Sequence, residues 1–407
     1  MRARTPVNTL DLTAPDFIAD PYPAYQRLRA DLPVCWDEAH GHWLVSRYAD
    51  VHDLLRDDRL SSDQLGAYVG RLSAEEQTDV APLRDLLTNR LLLTDNPAHR
   101  RIRSLMQLAF TPRRVEQMRP TILAAVSELL DRVRPSGRMD LVRDLADPLP
   151  SRIIAALLGL PPEDRDRFKA WTDDIYAFLG ISAVPLASRA RQATASARQL
   201  TAYLAELFGA IRRQPRDDLL SAMVAAEEQG DRLTETELFS NVVGIINASH
   251  ETTTNLIANT ALTLLRNPEQ LRRLNAEPLL LPNAIEEGLR YESPIQIISR
   301  QALEDVTVRG VAIGRGDRVA LLLGAANRDP TAFPDADLFN VARPEIKHLA
   351  FGGGPHYCLG AALGRLEGQV AIETLFRRLP GLRHTKAPLG WRPYPIFRGL
   401  VGLSLEF

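Results

Sequence analysis

The sequence is short of cysteine, with Cys35 and Cys358 the only two in 407 residues. Two sulfurs far apart in the chain argue against a disulfide framework and for a reducing compartment. An excess of one charge is missing too. The 49 Lys and Arg against 51 Asp and Glu leave a formal net charge of −2, so nothing electrostatic points to nucleic acid. At the start, Met1-Arg2-Ala3-Arg4 is followed by Asp11, Asp16 and Asp20. No apolar run there has signal-peptide or membrane-span length, and the expectation is a cytoplasmic protein without membrane association. The chain also lacks linkers, internal repeats, low-complexity runs and any dinucleotide or flavin fingerprint. What it has is ordinary for a globular protein: 45% hydrophobic and 25% charged residues.

The most informative stretch runs from Phe351 to Gly364. Phe-Gly-Gly-Gly-Pro-His-Tyr-Cys-Leu-Gly cannot be a regular helix or a central strand, because glycine loosens the backbone and proline fixes φ. Beyond it, Leu363, Leu366, Val370 and Leu375 keep helical spacing up to Pro380. Cys358 therefore stands where a glycine-lined loop enters a helix, and there the free N–H groups and helix dipole favour a thiolate. A buried structural cysteine is the plainer alternative.

The whole string closely resembles the haem-binding loop of the cytochrome P-450 superfamily, with Phe, two glycines, a variable stretch, then Cys, one residue and Gly. The resemblance implies a mainly α fold with a small β-rich part and a long central helix crossing the domain over the haem. It implies a single domain over 1–407, with β structure near the N-terminus and around 295–320 and 390–407. Cys358 would be the axial thiolate of haem b, favouring O–O cleavage.

Taken in order, Val34-Cys35-Trp36 and His42-Trp43-Leu44-Val45-Ser46, with Gly41 between them, predict a hairpin. Tyr48 to Leu55 predicts a short helix, and Ser61 to Leu93 is irregular. Thr94-Asp95-Asn96-Pro97 predicts a capped helix start. On that helix His99 and Arg103 lie four apart, either a solvated pair or, as the resemblance implies, donors to a haem propionate. Successive helices are expected over Pro120–Val133, Arg143–Leu160, Asp164–Leu179 and Leu186–Arg213. Gly180 to Pro185 breaks two of them, a break that tops the active site as a mobile lid in the family.

Thr234 with Glu237 is a capping-box pattern opening a helix expected to run to Arg266. Its middle, Asn247-Ala248-Ser249-His250-Glu251-Thr252-Thr253-Thr254, sets a polar, β-branched run inside an apolar helix, against propensity. This segment resembles the family's oxygen-activation motif. The resemblance makes Glu251 and Thr252 the acid–alcohol pair that passes protons to dioxygen. Ser249 stands where the family usually has glycine; its hydroxyl is expected to bond back to the carbonyl of Ile245 and bend the helix slightly, or else to join the relay.

Leu281-Pro282 starts another helix. The resemblance implies a structural network of Glu287, Arg290 and Arg343 that fixes the cysteine loop. It also implies that Arg300 and His356 complete the propionate set with His99 and Arg103. Candidate pocket residues are Ala248, Ile295, Ile297, Ile396 and Phe397. The implied activity is a haem-thiolate monooxygenase inserting one atom of dioxygen into a small apolar substrate by hydroxylation or epoxidation, in secondary metabolism. Electrons would come from NAD(P)H through a separate reductase and a ferredoxin-type donor docking on the Cys358 side, with Arg100, Arg101, Arg113, Arg114 and Arg365 as candidate anchors. The rivals are a peroxide-driven peroxygenase of the same fold and a non-catalytic haem gas sensor or carrier. Retention of Glu251 and Thr252 argues against the first, and the polar break in the long helix against the second.

Overall fold

Strands β1 (Val34–Asp37) and β2 (His42–Val45) pair antiparallel, Val34 with Val45 and Asp37 with His42. Gly41, at φ +65°, closes their turn, a conformation that suits a residue without Cβ. Both faces of this hairpin are covered. Val34, Trp36, Trp43 and Val45 join one apolar cluster, while Cys35 and Leu44 join another. Burial on both faces makes the strands read as continuous apolar runs. With β3 (Leu60–Ser61), β4 (Ile297–Ala302) and β5 (Arg318–Leu322) the hairpin forms a five-stranded sheet of order β1-β2-β5-β4-β3. Only the β2–β5 pairing is parallel among these.

The computed structural model describes residues 11–161, 164–179, 184–216, 218–228 and 233–407. They fall into two compact units, one of Met1–Ser61, Arg119–Pro150 and Glu251–Phe407, the other of Ser62–Met118 and Ser151–His250. The first holds the sheet and, packed together, the helices Arg119–Val133, α3 (Leu281–Tyr291) and α4 (Ala361–Arg378). In the second, helices Arg165–Leu179 and Leu186–Arg213 pack side by side, Phe168 meeting Tyr203 edge-to-face at 4.9 Å. Helix α1 (Ala98–Ala109) also belongs there.

Helix α2 (Glu235–Arg266, 32 residues) begins in the second unit and continues into the first. Its capping box is formed: the Thr234 amide donates to Glu237 Oε2 at 2.8 Å and the Glu237 amide to Thr234 Oγ1 at 3.1 Å. Among the described residues no helix is long and apolar enough to cross a membrane.

Three expectations are corrected. The stretch from Arg143 to Leu160 is not one helix but a π turn, Val142–Ala146, followed by the helix Pro148–Leu158. Pro148 has no N–H to carry the hydrogen-bond ladder through. Helix α1 has no side-chain cap; Thr94 Oγ1 instead donates to the Arg90 carbonyl and Asp95 accepts from the Ser62 amide. The irregular region after Ser61 contains the short helices Leu65–Val69, Ala74–Asp79 and Ala81–Thr88, the second with a complete Ser73–Glu76 capping box. The expected lid falls largely on 180–183, outside the described residues.

Candidate functional site

The cysteine loop is built by backbone contacts that other side chains would spoil. Gly352 and Gly354 have φ of +71° and +61°, and a Cβ on Gly354 would stand 2.6 Å from the Leu55 carbonyl oxygen. The Gly352 amide donates to Leu349 O at 2.8 Å and the Cys358 amide to Phe351 O at 2.9 Å. Two residues after the cysteine, Gly360 caps α4. The two cysteines differ sharply. Cys358 is exposed and Cys35 is buried, and burial pushes the Cys35 thiol up to about 12, which leaves it a thiol at neutral pH.

Beneath the loop, Glu287 binds both arginines that the sequence pairs with it. Arg290 donates through Nε and Nη2 at 2.7 and 2.8 Å, and Arg343 Nε lies 3.1 Å from each carboxylate oxygen. Glu287 and Arg290 are wholly buried. The guanidiniums reach on to the carbonyls of Asn327, Ala336, Asp335 and Leu338, tying α3 to the segment that leads into the loop. A second clamp was not visible in the sequence. Arg365 on α4 holds Glu286 on α3 in a two-pronged pair at 2.7 and 2.8 Å, His348 approaches the same carboxylate at 3.2 Å, and Arg365 Nη1 reaches Tyr357 Oη, next to the cysteine. Burial would raise the Glu286 carboxyl, but Arg365 and His348 outweigh it and hold it down at about 2.

The centre of α2 is a different environment. Ile245–Asn247 and Thr253–Thr260 are buried, whereas Ala248 is exposed and Ser249 through Thr252 are partly so. The helix thus opens just where its sequence turns polar. Ser249 Oγ donates to the carbonyl of Ile246 at 3.0 Å, three residues back rather than the expected four to Ile245, so the hydroxyl is taken up by its own helix. Arg392, from the C-terminal turn, brings Nη1 to 3.6 Å from Glu251 Oε1.

Among the propionate candidates, His99 is 2% exposed on α1 with Arg103 one turn on, and both lie in the second unit. Arg300, His356 and Cys358 lie in the first. Arg300 is 5% exposed on β4, and Nη1 donates to the Ser299 carbonyl. The pocket candidates divide. Ile295 forms a β-bridge with Phe397, and the Gln296 amide donates to Ile396 O at 2.8 Å, so the structure brings those three together. Ile297 is 6% exposed and packs in the cluster of Tyr25, Cys35 and Leu322. It is a core residue, because strand alternation turns it away from the loop. Its neighbour Ile298, overlooked in the sequence, is half-buried and lies 3.7 Å from where a Gly352 Cβ would be. Of the anchor candidates, Arg101 is paired with Glu237, Arg114 donates to the Asp218 carbonyl and Arg365 is held by Glu286; Arg100 and Arg113 are exposed.

These residues fit a haem. The one exposed thiol stands on a backbone-pinned loop. A Cβ at Gly360, on its helix side, would meet no protein atom within 4 Å, leaving room for a flat ligand. The cationic and imidazole donors suit two carboxylates.

A family model described as Cytochrome P450 matches residues 77–380. The cytochrome P450 monooxygenase PikC of Streptomyces venezuelae is 40% identical over 414 residues, covering 100% of this chain and 95% of its own. The biotin biosynthesis cytochrome P450 of Bacillus subtilis (strain 168) is 38% identical over 398 residues, with 96% of this chain and 97% of its own covered. The crystal structure of CalO2 superposes with a TM-score of 0.91 at 35% identity, covering 98% of this chain and 99% of its own.

Proposed function

The chain belongs to the cytochrome P450 family and is a haem-thiolate monooxygenase, and we propose that Cys358 is its iron ligand and Glu251 with Thr252 its proton-delivering pair. The haem, when bound, activates dioxygen with two electrons from a redox partner and inserts one oxygen atom into the substrate, the other leaving as water. The observation that carries the assignment is the contrast of sulfurs: an exposed Cys358 where loop meets helix, and a Cys35 locked in the core as a thiol. The start of α4 supplies the partial positive charge that keeps the Cys358 sulfur ionised.

Thr252 would offer its hydroxyl as hydrogen-bond donor at the oxygen site, and Glu251 would relay a proton through water. Arg392 lies 3.6 Å from Glu251 and helps to orient its carboxylate. Ser249 takes no part, its hydroxyl being committed to Ile246. His99, Arg103, Arg300 and His356 are the residues that would hold the two propionates by charge-assisted hydrogen bonds. Ala248, Ile295, Ile298, Ile396 and Phe397 present apolar surface to a small apolar substrate, as befits an enzyme of secondary metabolism. Electrons pass from NAD(P)H through a separate reductase and a ferredoxin-type donor, since the chain carries no nucleotide fingerprint. On this reading residues 1–407 work as one catalytic domain in the cytoplasm.

The test is spectroscopic. The ferrous carbon monoxide complex should show the strongly red-shifted Soret band of thiolate ligation, and Cys358→His should abolish the shift together with turnover. Survival of the shift in Cys358→His would move the ligand to Cys35 and overturn the assignment.

A further inference from the structure

The tip of the β1–β2 hairpin, Asp37-Glu38-Ala39-His40-Gly41-His42, has no part in the oxygen chemistry. It nevertheless gathers two imidazoles and a carboxylate. Among the described residues, Asp37, His40 and His42 are the one set of three such side chains whose ligand atoms lie within 4.8 Å of one another. We propose that they form a binding site for a zinc-type divalent cation.

The two oxygens of Asp37 have separate duties. Oδ1 accepts from the amides of Ala39 and His40 at 3.0 and 3.3 Å, which fixes the carboxylate in the turn. Oδ2 faces both imidazoles, with His40 Nδ1 at 2.7 Å and His42 Nε2 at 3.2 Å. Outer hydrogen bonds that orient a ligand oxygen in this way are typical of metal sites.

His42 separates a metal site from a simple Asp–His pairing. Its Nε2 is buried and, although 3.2 Å from the carboxylate, makes no aligned hydrogen bond to it. The contact is thus longer and less direct than the 2.7 Å one made by His40. Two ligands at about 2.0–2.1 Å from a tetrahedral zinc stand about 3.3–3.5 Å apart, with their lone pairs converging on the ion and not on each other. The His42–Asp37 spacing is already of that kind. His40 is about 0.6–0.8 Å too close for this, but it lies in the turn, more exposed than either partner, and would have to swing out while Asp37 and His42 stay fixed as register partners. Beyond the trio, His40 senses Asp11 and Arg318, one charge of each sign. The donor set therefore keeps the single negative charge of Asp37 against a divalent ion. Neutral imidazole and carboxylate suit zinc, and three protein ligands leave the fourth position to water.

The experiment uses the haem-loaded enzyme, so that Cys358 is engaged, and zinc alone as ligand. Equilibrium dialysis should find one equivalent bound at about micromolar affinity or tighter, with the thermal midpoint rising as zinc is added. His42→Ala and His40→Gln should each weaken binding by more than about 100-fold, beyond the loss usual for an outer-shell partner. Cobalt in place of zinc should give visible bands of four-coordinate intensity that both variants lose. His40→Gln, in the turn, tests the site even if His42→Ala fails to fold. Absence of a tight equivalent in the wild-type enzyme, or zinc binding retained by His40→Gln, would reduce the cluster to a hydrogen-bonded staple of the hairpin and overturn the proposal.

Discussion

The Glu287 network behind the cysteine loop and the centre of helix α2, both assigned to one reaction in the proposed function, are built with opposite physics. Glu287 satisfies two guanidiniums at once, and those guanidiniums reach five backbone carbonyls. Glu287, Arg290 and Arg343 are themselves buried, so none of the three can turn without stranding a charge. In the helix centre Glu251 meets Arg392 at 3.6 Å and stays partly exposed, and Ser249 to Thr252 lie open between buried turns. The first region is over-determined because a metal ligand must not wander. The second is partly open to solvent, as the proposed entry of protons requires.

The most damaging way to break the contrast is Glu287→Ala. It leaves the buried Arg290 and Arg343 facing each other without a counter-charge, a loss of about 3–5 kcal/mol. Urea unfolding should show it, and purified protein should carry little haem. A variant with wild-type stability and full haem content would mean that the network is not what holds the loop.

Thr252→Ala should act on the other side of the contrast and leave stability alone. Haem content and substrate-induced spectral change should be retained, while product formed per NAD(P)H falls by roughly tenfold or more and hydrogen peroxide appears instead, in line with the size of lost proton-transfer catalysis. Unchanged coupling would shift the role to Thr253 or to an ordered water.

Glu286 sharpens the comparison through pH. Its carboxyl is held at about 2, against an ordinary 4.5. A depressed folded value contributes stability above the unfolded one, and this is lost as pH falls from about 4.5 towards 2. Glu286→Gln should therefore be less stable than wild type at pH 7, by at most on the order of 3 kcal/mol, and the gap should close across that acid window. A gap that stays constant down to pH 2 would show that charge is not what the clamp supplies.

Ser249→Gly should do least. With the hydroxyl already bonded to Ile246, coupling should stay near wild type and the rate should change by less than about tenfold, under about 1.4 kcal/mol of barrier. Uncoupling as deep as that of Thr252→Ala would place Ser249 in the relay.

What was legible in the sequence was local or strongly patterned. The cysteine loop, the Thr234–Glu237 box and the bounds of Leu186–Arg213 each depend on residues a few positions apart. The Glu287–Arg290 spacing alone was weak, and the pair was legible only through the family resemblance. Arg365 and Glu286 are 79 positions apart, and nothing in either neighbourhood marks the other. Arg392 likewise belongs to a C-terminal turn whose only visible feature is its prolines. Ile297 was misjudged for another reason: an all-apolar strand start, Ile295 to Ile298, gives no polar alternation to say which side is the core. The Ser73–Glu76 capping box was readable, but the helix behind it has only six residues and no apolar stripe to draw notice.

The burial of Cys35 has a practical consequence in protein chemistry. With its thiol held near 12, only about one molecule in 10⁵ carries that sulfur as thiolate at pH 7, and the core shields it from reagents. An alkylating label therefore meets a single addressable sulfur per chain. On the proposed assignment that sulfur is the one the cofactor takes, and the count of titratable thiols then becomes a direct count of chains still waiting for haem.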